Sequence, residues 1–183
     1  YLSFIFFTAF AFLNMVIGII VNVMNQEFAQ EQSLMDHSLL QLTEPRSGYE
    51  RYQMYESIRA FATEKLEAQD DHNDARRRHL CHYAAMGTNE GLDTLNAHGG
   101  GEKRIALSLE LENLAHGIKA GTQLNEPEAA AHCALAGSEI LHQTGPFKDA
   151  IRLLNAVLDL GISSLTRCRL LGQRSKLNLL ADN

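Results

Sequence analysis

PEAAAHCALAGSEILHQTGPFKDAIRLLNAVLDL, residues 127–160, decides the reading of this chain. Helix formers dominate it, and Gly145-Pro146 cuts it into two helical lengths, 127–143 and 147–160. Pro127 stands where a first helical turn tolerates proline, because an amide hydrogen there has no intrahelical partner. A glycine followed by a proline is a strong stop, since Gly permits positive φ and Pro cannot continue a helix. Two helices joined by so short a link must run antiparallel. A third helix is predicted over 164–181, again after a short connection. Paired helices in series at this spacing point to a helical-repeat array.

Upstream, Leu107, Leu111, Leu114 and Ile118 keep a 4-3-4 spacing. That places them on one stripe of a helix predicted from Glu102 to about Ala120. Gly99-Gly100-Gly101 before it reads as a flexible linker. Another helix is predicted from Asp74 to about Met86, with Asp74 suited to its positive end. Glu56–Ala68 is amphipathic, with Ile58, Phe61, Ala62 and Leu66 on one face. LLQLTEPRSGYERYQMY, residues 39–55, reads as a β-hairpin turning at Glu44-Pro45-Arg46-Ser47-Gly48. Residues 29–41 read as a short helix resting on Leu34, Leu39 and Leu40.

The N-terminal stretch differs in character. Tyr1 to Gln26 carry no charged side chain. As a helix, the apolar run of about 24 residues spans roughly 36 Å, against a bilayer core of roughly 30 Å. Residues 1–28 are therefore expected to form one transmembrane helix, with the lipid bilayer as a partner and the remainder cytoplasmic. The run is too long for a signal-peptide core, and with Tyr1 first the chain reads as a fragment. Asn14 within that helix must find a hydrogen-bond partner in protein or water. Gly18 allows close packing against a neighbouring helix.

Composition bounds the function. The chain has 183 residues and a formal net charge of -6, which argues against nucleic acid as the main partner. Its three cysteines, Cys81, Cys133 and Cys168, are odd in number and lack CxxC spacing, so no disulfide framework is expected. Gly99-Gly100-Gly101-Glu102-Lys103 lacks the spacing and the hydroxyl of a phosphate-binding loop. His79 and His82 share a helix face with Cys81 between them, but no further ligand stands at metal-site spacing. Arg76-Arg77-Arg78 is preceded by Asp70, Asp71 and Asp74, which favours a solvated or salt-bridging face over phosphate contact. No catalytic residue, metal or cofactor is expected, and the chain reads as a non-enzyme.

Two resemblances attach to different parts. Phe10, Leu13-Asn14 and Ile17-Gly18-Ile19-Ile20-Val21-Asn22 make residues 3–24 similar to the last, pore-lining helix of prokaryotic voltage-gated sodium channels. That resemblance implies a homo-oligomer, a tetramer, with Val16, Ile20 and Met24 lining and gating the pore and Asn14 and Gly18 packing the helices. Thr8 stands where some members of that family have a hinge glycine, which argues against their bending mechanism. Residues 33–183 resemble the region after the nucleotide-binding module of STAND-type bacterial ATPase regulators. This match rests on Ser33–Leu40, Tyr52–Ala62, Ala75–His79 and Leu109–Leu114. It implies a winged-helix remnant over 29–70 and tetratricopeptide-like repeats over 71–183 that bind a protein partner. Gly137/Ser138, Leu141, Ala150, Leu154 and Val157 fit the small and large positions of one such repeat. The fold expected is therefore mainly all-α: a transmembrane helix, a winged-helix remnant with a short hairpin, and an antiparallel helical-repeat array. The function expected is a membrane protein whose channel-like helix joins a cytosolic interaction module. The alternative is a fragment of a STAND-type signalling or transcriptional regulator.

Overall fold

In a computed structural model, the described residues are Ser33, 35–43, 51–68 and 72–181. They are mainly helical. Two short strands, β1 (Gln41–Thr43) and β2 (Arg51–Gln53), precede eight helices. These are α1 (Glu56–Glu67), α2 (His72–Ala85), α3 (Asn89–Asn96), α4 (Gly100–Ser108), α5 (Leu111–Gln123), α6 (Pro127–Thr144), α7 (Phe147–Leu158) and α8 (Ser164–Ala181). The chain divides into two compact units, Tyr1–Glu64 and Lys65–Asn183.

In the first unit β1 and β2 pair antiparallel, Gln41 opposite Gln53 and Leu42 opposite Tyr52, as the hairpin reading expects. The helix predicted over 29–41 ends early, after Asp36. Ser38 has φ 55°, a left-handed conformation that ends helical winding before Leu39 and Leu40 lead into β1. The amphipathic face predicted for α1 is not sunk in a core: no residue of α1 is buried, and Phe61 is 59% exposed.

The second unit is organised around α6. Its small residues, among them Ala130, Ala131, Ala134 and Gly137, let helices approach from several sides, and ten of its residues are buried. A helix apolar on most of its circumference belongs inside a protein. Around it pack α2, α5, α7, α8 and, more lightly, α4. Glycines mark the closest approaches. A Cβ at Gly121 would stand 2.8 Å from the Cβ of Ala130, and one at Gly117 2.7 Å from the Cys133 Sγ. Ser138, also buried, is satisfied by donating to the Leu135 carbonyl at 2.9 Å. α7 is amphipathic and inserts Ala150, Leu154 and Val157 into the same core.

The link between α5 and α6 is tight because Asn125 takes φ 57° and the Glu126 amide donates to the Gly121 carbonyl. At the start of α8, Ser163 Oγ accepts from the Thr166 amide. This is the Ser/Thr capping that satisfies an orphan donor of the first turn.

Two expectations are corrected here. The single helix predicted over 102–120 is two helices. Leu109 and Glu110 donate back to Ala106 and Leu107, three residues away, which tightens the chain and breaks the helix between Ser108 and Leu111. The glycine run is not a linker either. Gly99 adopts φ 80° as the N-cap of α4, and Gly100 lies against the Leu95 carbonyl, where a Cβ would stand 2.1 Å from its oxygen.

The membrane and ion-channel expectation is also corrected. Among the described residues no helix is long and apolar enough to cross a membrane. The segment 1–28 on which that reading stood lies outside them, and with it Asn14, Val16, Gly18, Ile20 and Met24.

Candidate functional site

Two of the concavities on the second unit border α3. The first is a polar groove with a volume of about 380 Å³. α6 contributes Leu135 and Glu139 to it, four residues apart and so on one face. α8 contributes Arg169, Gln173 and Lys176, spaced four and three, together with Cys168 and Gly172. Asn89, Leu92 and Asp93 of α3 complete the lining. Gln173 Nε2 donates to Glu139 Oε2 at 3.1 Å and ties the two long walls together. Arg169 Nη2 donates to the Gly87 carbonyl at 3.1 Å, anchoring α8 to the end of α2. The groove thus presents both signs of charge, Asp93 and Glu139 against Arg169 and Lys176, over a small apolar floor.

His132 lies one turn before Leu135 on α6, and a Cβ on Gly87 would stand 1.8 Å from its carbonyl oxygen. Burial pushes the His132 imidazole below its ordinary pKa, and the positive Arg169 adds to this, against Glu128 and Glu90. On the Glu128 carboxyl, burial works upward. The Ser163 amide and the Thr166 and Ser163 hydroxyls outweigh it and hold the group below its usual value.

The second concavity is an apolar cleft of about 600 Å³ between α2, α3 and α4. Tyr83, Met86, Leu95 and Leu107 line it, with His82, Thr94, Lys103 and Glu110 as its polar groups. Tyr83 donates its hydroxyl to Glu110 Oε2 at 3.0 Å, and Asn113 Nδ2 donates to the same oxygen at 2.6 Å. The Tyr83 ring is flanked by His79 and His82, with centroids 4.7 Å and 4.9 Å away. Burial lowers the His79 pKa, and neighbouring His116 and His82 lower it further, against the Asn113 hydrogen bond and Glu110.

The residues singled out from sequence fall as follows. His79 and His82 both pack against Tyr83, and Cys81 is exposed. Among the described residues no group of three His, Cys, Asp or Glu side chains could hold a metal ion. Cys133 is buried, and burial pushes its thiol up to about 12, which keeps it protonated. The arginine run fastens helices. Arg76 donates to Gln123, and Arg77 bonds Glu126 and, at 3.4 Å, Asp74. The Glu126 hydrogen bond and charge raise the Arg77 pKa further. Sequence reasoning missed the groove. Its lining residues carry no local motif and meet only when α6 and α8 lie side by side.

The two perturbed histidines predict a pH dependence. Both imidazoles have folded pKa values below the ordinary 6.5, so the fold favours the neutral ring. Their stabilising contribution is complete above pH 6.5 and is lost as pH falls from there through the folded values. The melting temperature is expected to drop between about pH 7.5 and about pH 5.5. The His79→Gln, His132→Gln double variant should show a shallower drop, measured by circular dichroism. An equal slope in the variant would contradict the assignment. Glu128 acts in a separate window: its contribution is present above its ordinary value of 4.5 and is lost at lower pH.

No family model matches the chain, and neither a curated protein nor a solved structure does.

Proposed function

We propose that the second unit is a helical-repeat module that binds a segment of a partner protein along the groove between α3, α6 and α8. The observation that carries this reading is the Gln173–Glu139 hydrogen bond, which joins α6 and α8 at a separation of 34 residues. That is the period of a tetratricopeptide repeat. The positions that fit such a repeat support it. Gly137, Ser138, Leu141, Ala150, Leu154 and Val157 are all buried within the α6 and α7 hairpin. On this reading α2 pairs with α5, α6 pairs with α7, and α8 opens a third repeat, with α3 and α4 inserted in the first. Each helix then packs against its neighbours in the array, as in a quasi-one-dimensional solenoid.

A groove with acidic side chains on α3 and α6 opposite basic ones on α8, over a small apolar floor, suits a peptide carrying both charges, recognised by complementarity. The resemblance to STAND-type regulators adds that such a module serves sensing or regulation through protein contact. Binding rather than catalysis is the role proposed. The test is a random peptide library displayed on phage and selected against the full chain. Enriched peptides are then measured by fluorescence polarisation. Glu139→Arg and Lys176→Glu should each weaken the selected peptides by about ten-fold. Failure to enrich any sequence, or binding to both variants as tight as to the parent, would overturn the reading.

A further inference from the structure

The helix α8 carries leucines on two opposite faces. Leu170 and Leu177 are fully buried, where α8 packs against α6 and α7. Leu165 and Leu179 stand almost four turns apart on the other face and are 70% and 69% exposed. Between them Cys168, Gly172 and Ser175 continue the same stripe at spacings of three and four. All three are exposed, and nothing lies within 4 Å of a Cβ placed on Gly172. Leucines at the ends and small residues in the middle form a notched seam, roughly 21 Å long, on one unbroken helix.

That spacing is the spacing of a coiled-coil seam, whose positions receive side chains of a facing helix, and the flanking positions select the partner by charge. One flank here is Arg169 and Lys176, both basic, and the other is Leu171 and Asn178. α8 holds Arg167, Arg169, Arg174 and Lys176 and no acidic residue, in a chain of net charge -6. Its arginines donate to uncharged acceptors: Arg167 to the Leu158 and Leu160 carbonyls, Arg169 to the Gly87 carbonyl and Arg174 to the Asn155 side chain. Their charge is therefore not neutralised by these bonds. Asp93 and Glu139 stand across the groove, and neither closes an ion pair with Arg169 or Lys176 among the described residues. A second α8 laid antiparallel on the seam would set Arg169 against Lys176 of the other copy, a like-charge contact. A lipid surface would be met by bulky apolar side chains along the whole face, whereas this face is notched at its centre. We propose that the outer face of α8 is a second interaction surface, which takes an acidic amphipathic helix of a partner protein. The seam meets the polar groove at Cys168 and Gly172, but Leu165 and Leu179 lie outside the groove lining, so the two sites are separable by mutation.

The probe is a synthetic peptide of about 21 residues, with leucine at the seam positions and glutamate on both flanks, so that like charges keep it from pairing with itself. It should bind the full chain with a micromolar dissociation constant by isothermal titration calorimetry, and more weakly as salt rises from about 0.05 M to about 0.5 M. The same peptide with lysine for glutamate should not bind. Leu165→Glu combined with Leu179→Glu should weaken the acidic peptide about ten-fold, with the thermal melt of the parent retained because both positions are exposed. Leu165→Met combined with Leu179→Met should keep the affinity. Failure of the acidic peptide to bind, equal binding of the lysine peptide, or indifference to the glutamate pair would overturn the proposal. So would a dimer by light scattering that the glutamate pair dissociates, which would make the occupant a second copy. Leucine-dependent sedimentation with phosphatidylglycerol vesicles, without peptide binding, would refute it in favour of a lipid surface. Loss of the peptide on Glu139→Arg but not on the leucine changes would place it in the polar groove, refuting this site and leaving the groove reading intact.

Discussion

Leu114→Asp is expected to leave residues 65–183 without cooperative folding. Leu114 is fully buried on α5, and its side chain lies near Gly137 where α5 meets α6. A carboxylate there would have no partner among the alanines and leucines that surround it. Burying an unpaired charge costs several kcal/mol, comparable with the roughly 5–15 kcal/mol that holds a whole domain. Circular dichroism should show no sharp thermal transition. Ile105→Asp is the matched control, because Ile105 is 48% exposed on the neighbouring helix, and it should melt close to the parent. A cooperative melt of Leu114→Asp within a few degrees of the parent would mean that α5 does not pack as described.

The second large effect concerns a single methyl group. Gly87→Ala should destabilise the unit by about 2–4 kcal/mol, because the added Cβ would stand 1.8 Å from the His132 carbonyl oxygen. That oxygen belongs to backbone and cannot swing aside. Gly87 also accepts from Arg169, so the ends of α2, α6 and α8 share this one junction. The opposite sign is expected at Gly172, within α8, where nothing lies within 4 Å of an added Cβ. There Gly172→Ala should stabilise by about 0.5–1 kcal/mol through helix propensity alone. Urea melts of the two variants should move in opposite directions. Two shifts of the same sign would contradict the packing around Gly87.

The contrast between these glycines shows what sequence carries and what it does not. Nothing in the immediate neighbours of Gly87 announces that His132, far along the chain, will press on it. The boundaries of α6 and α7 were legible because Pro127 and Gly145-Pro146 act locally, through fixed φ and chain reversal. α3 is not legible in the sequence pattern. NEGLDTLN is short and largely polar, although Thr88 accepting from the Gly91 amide is a cap that could have flagged it. The break between α4 and α5 was hidden by the apolar stripe that runs across it. Leu107, Leu114 and Ile118 are all buried, yet they sit on two helices joined by a tight turn. The hairpin was legible because Pro45 and Gly48 separate two short apolar runs. The groove was not, because Glu139 and Gln173 meet only after two helices have stacked.

The claim most exposed to experiment is that a partner segment lies between α6 and α8. Hydrogen–deuterium exchange of the full chain, with and without a library-selected peptide, tests it most directly. Slowed exchange is expected in the segments of α6 around Leu135 and Glu139 and of α8 from Arg169 to Lys176, with α7 unchanged. Protection on α7 or in the first unit, with α6 and α8 unaffected, would contradict it.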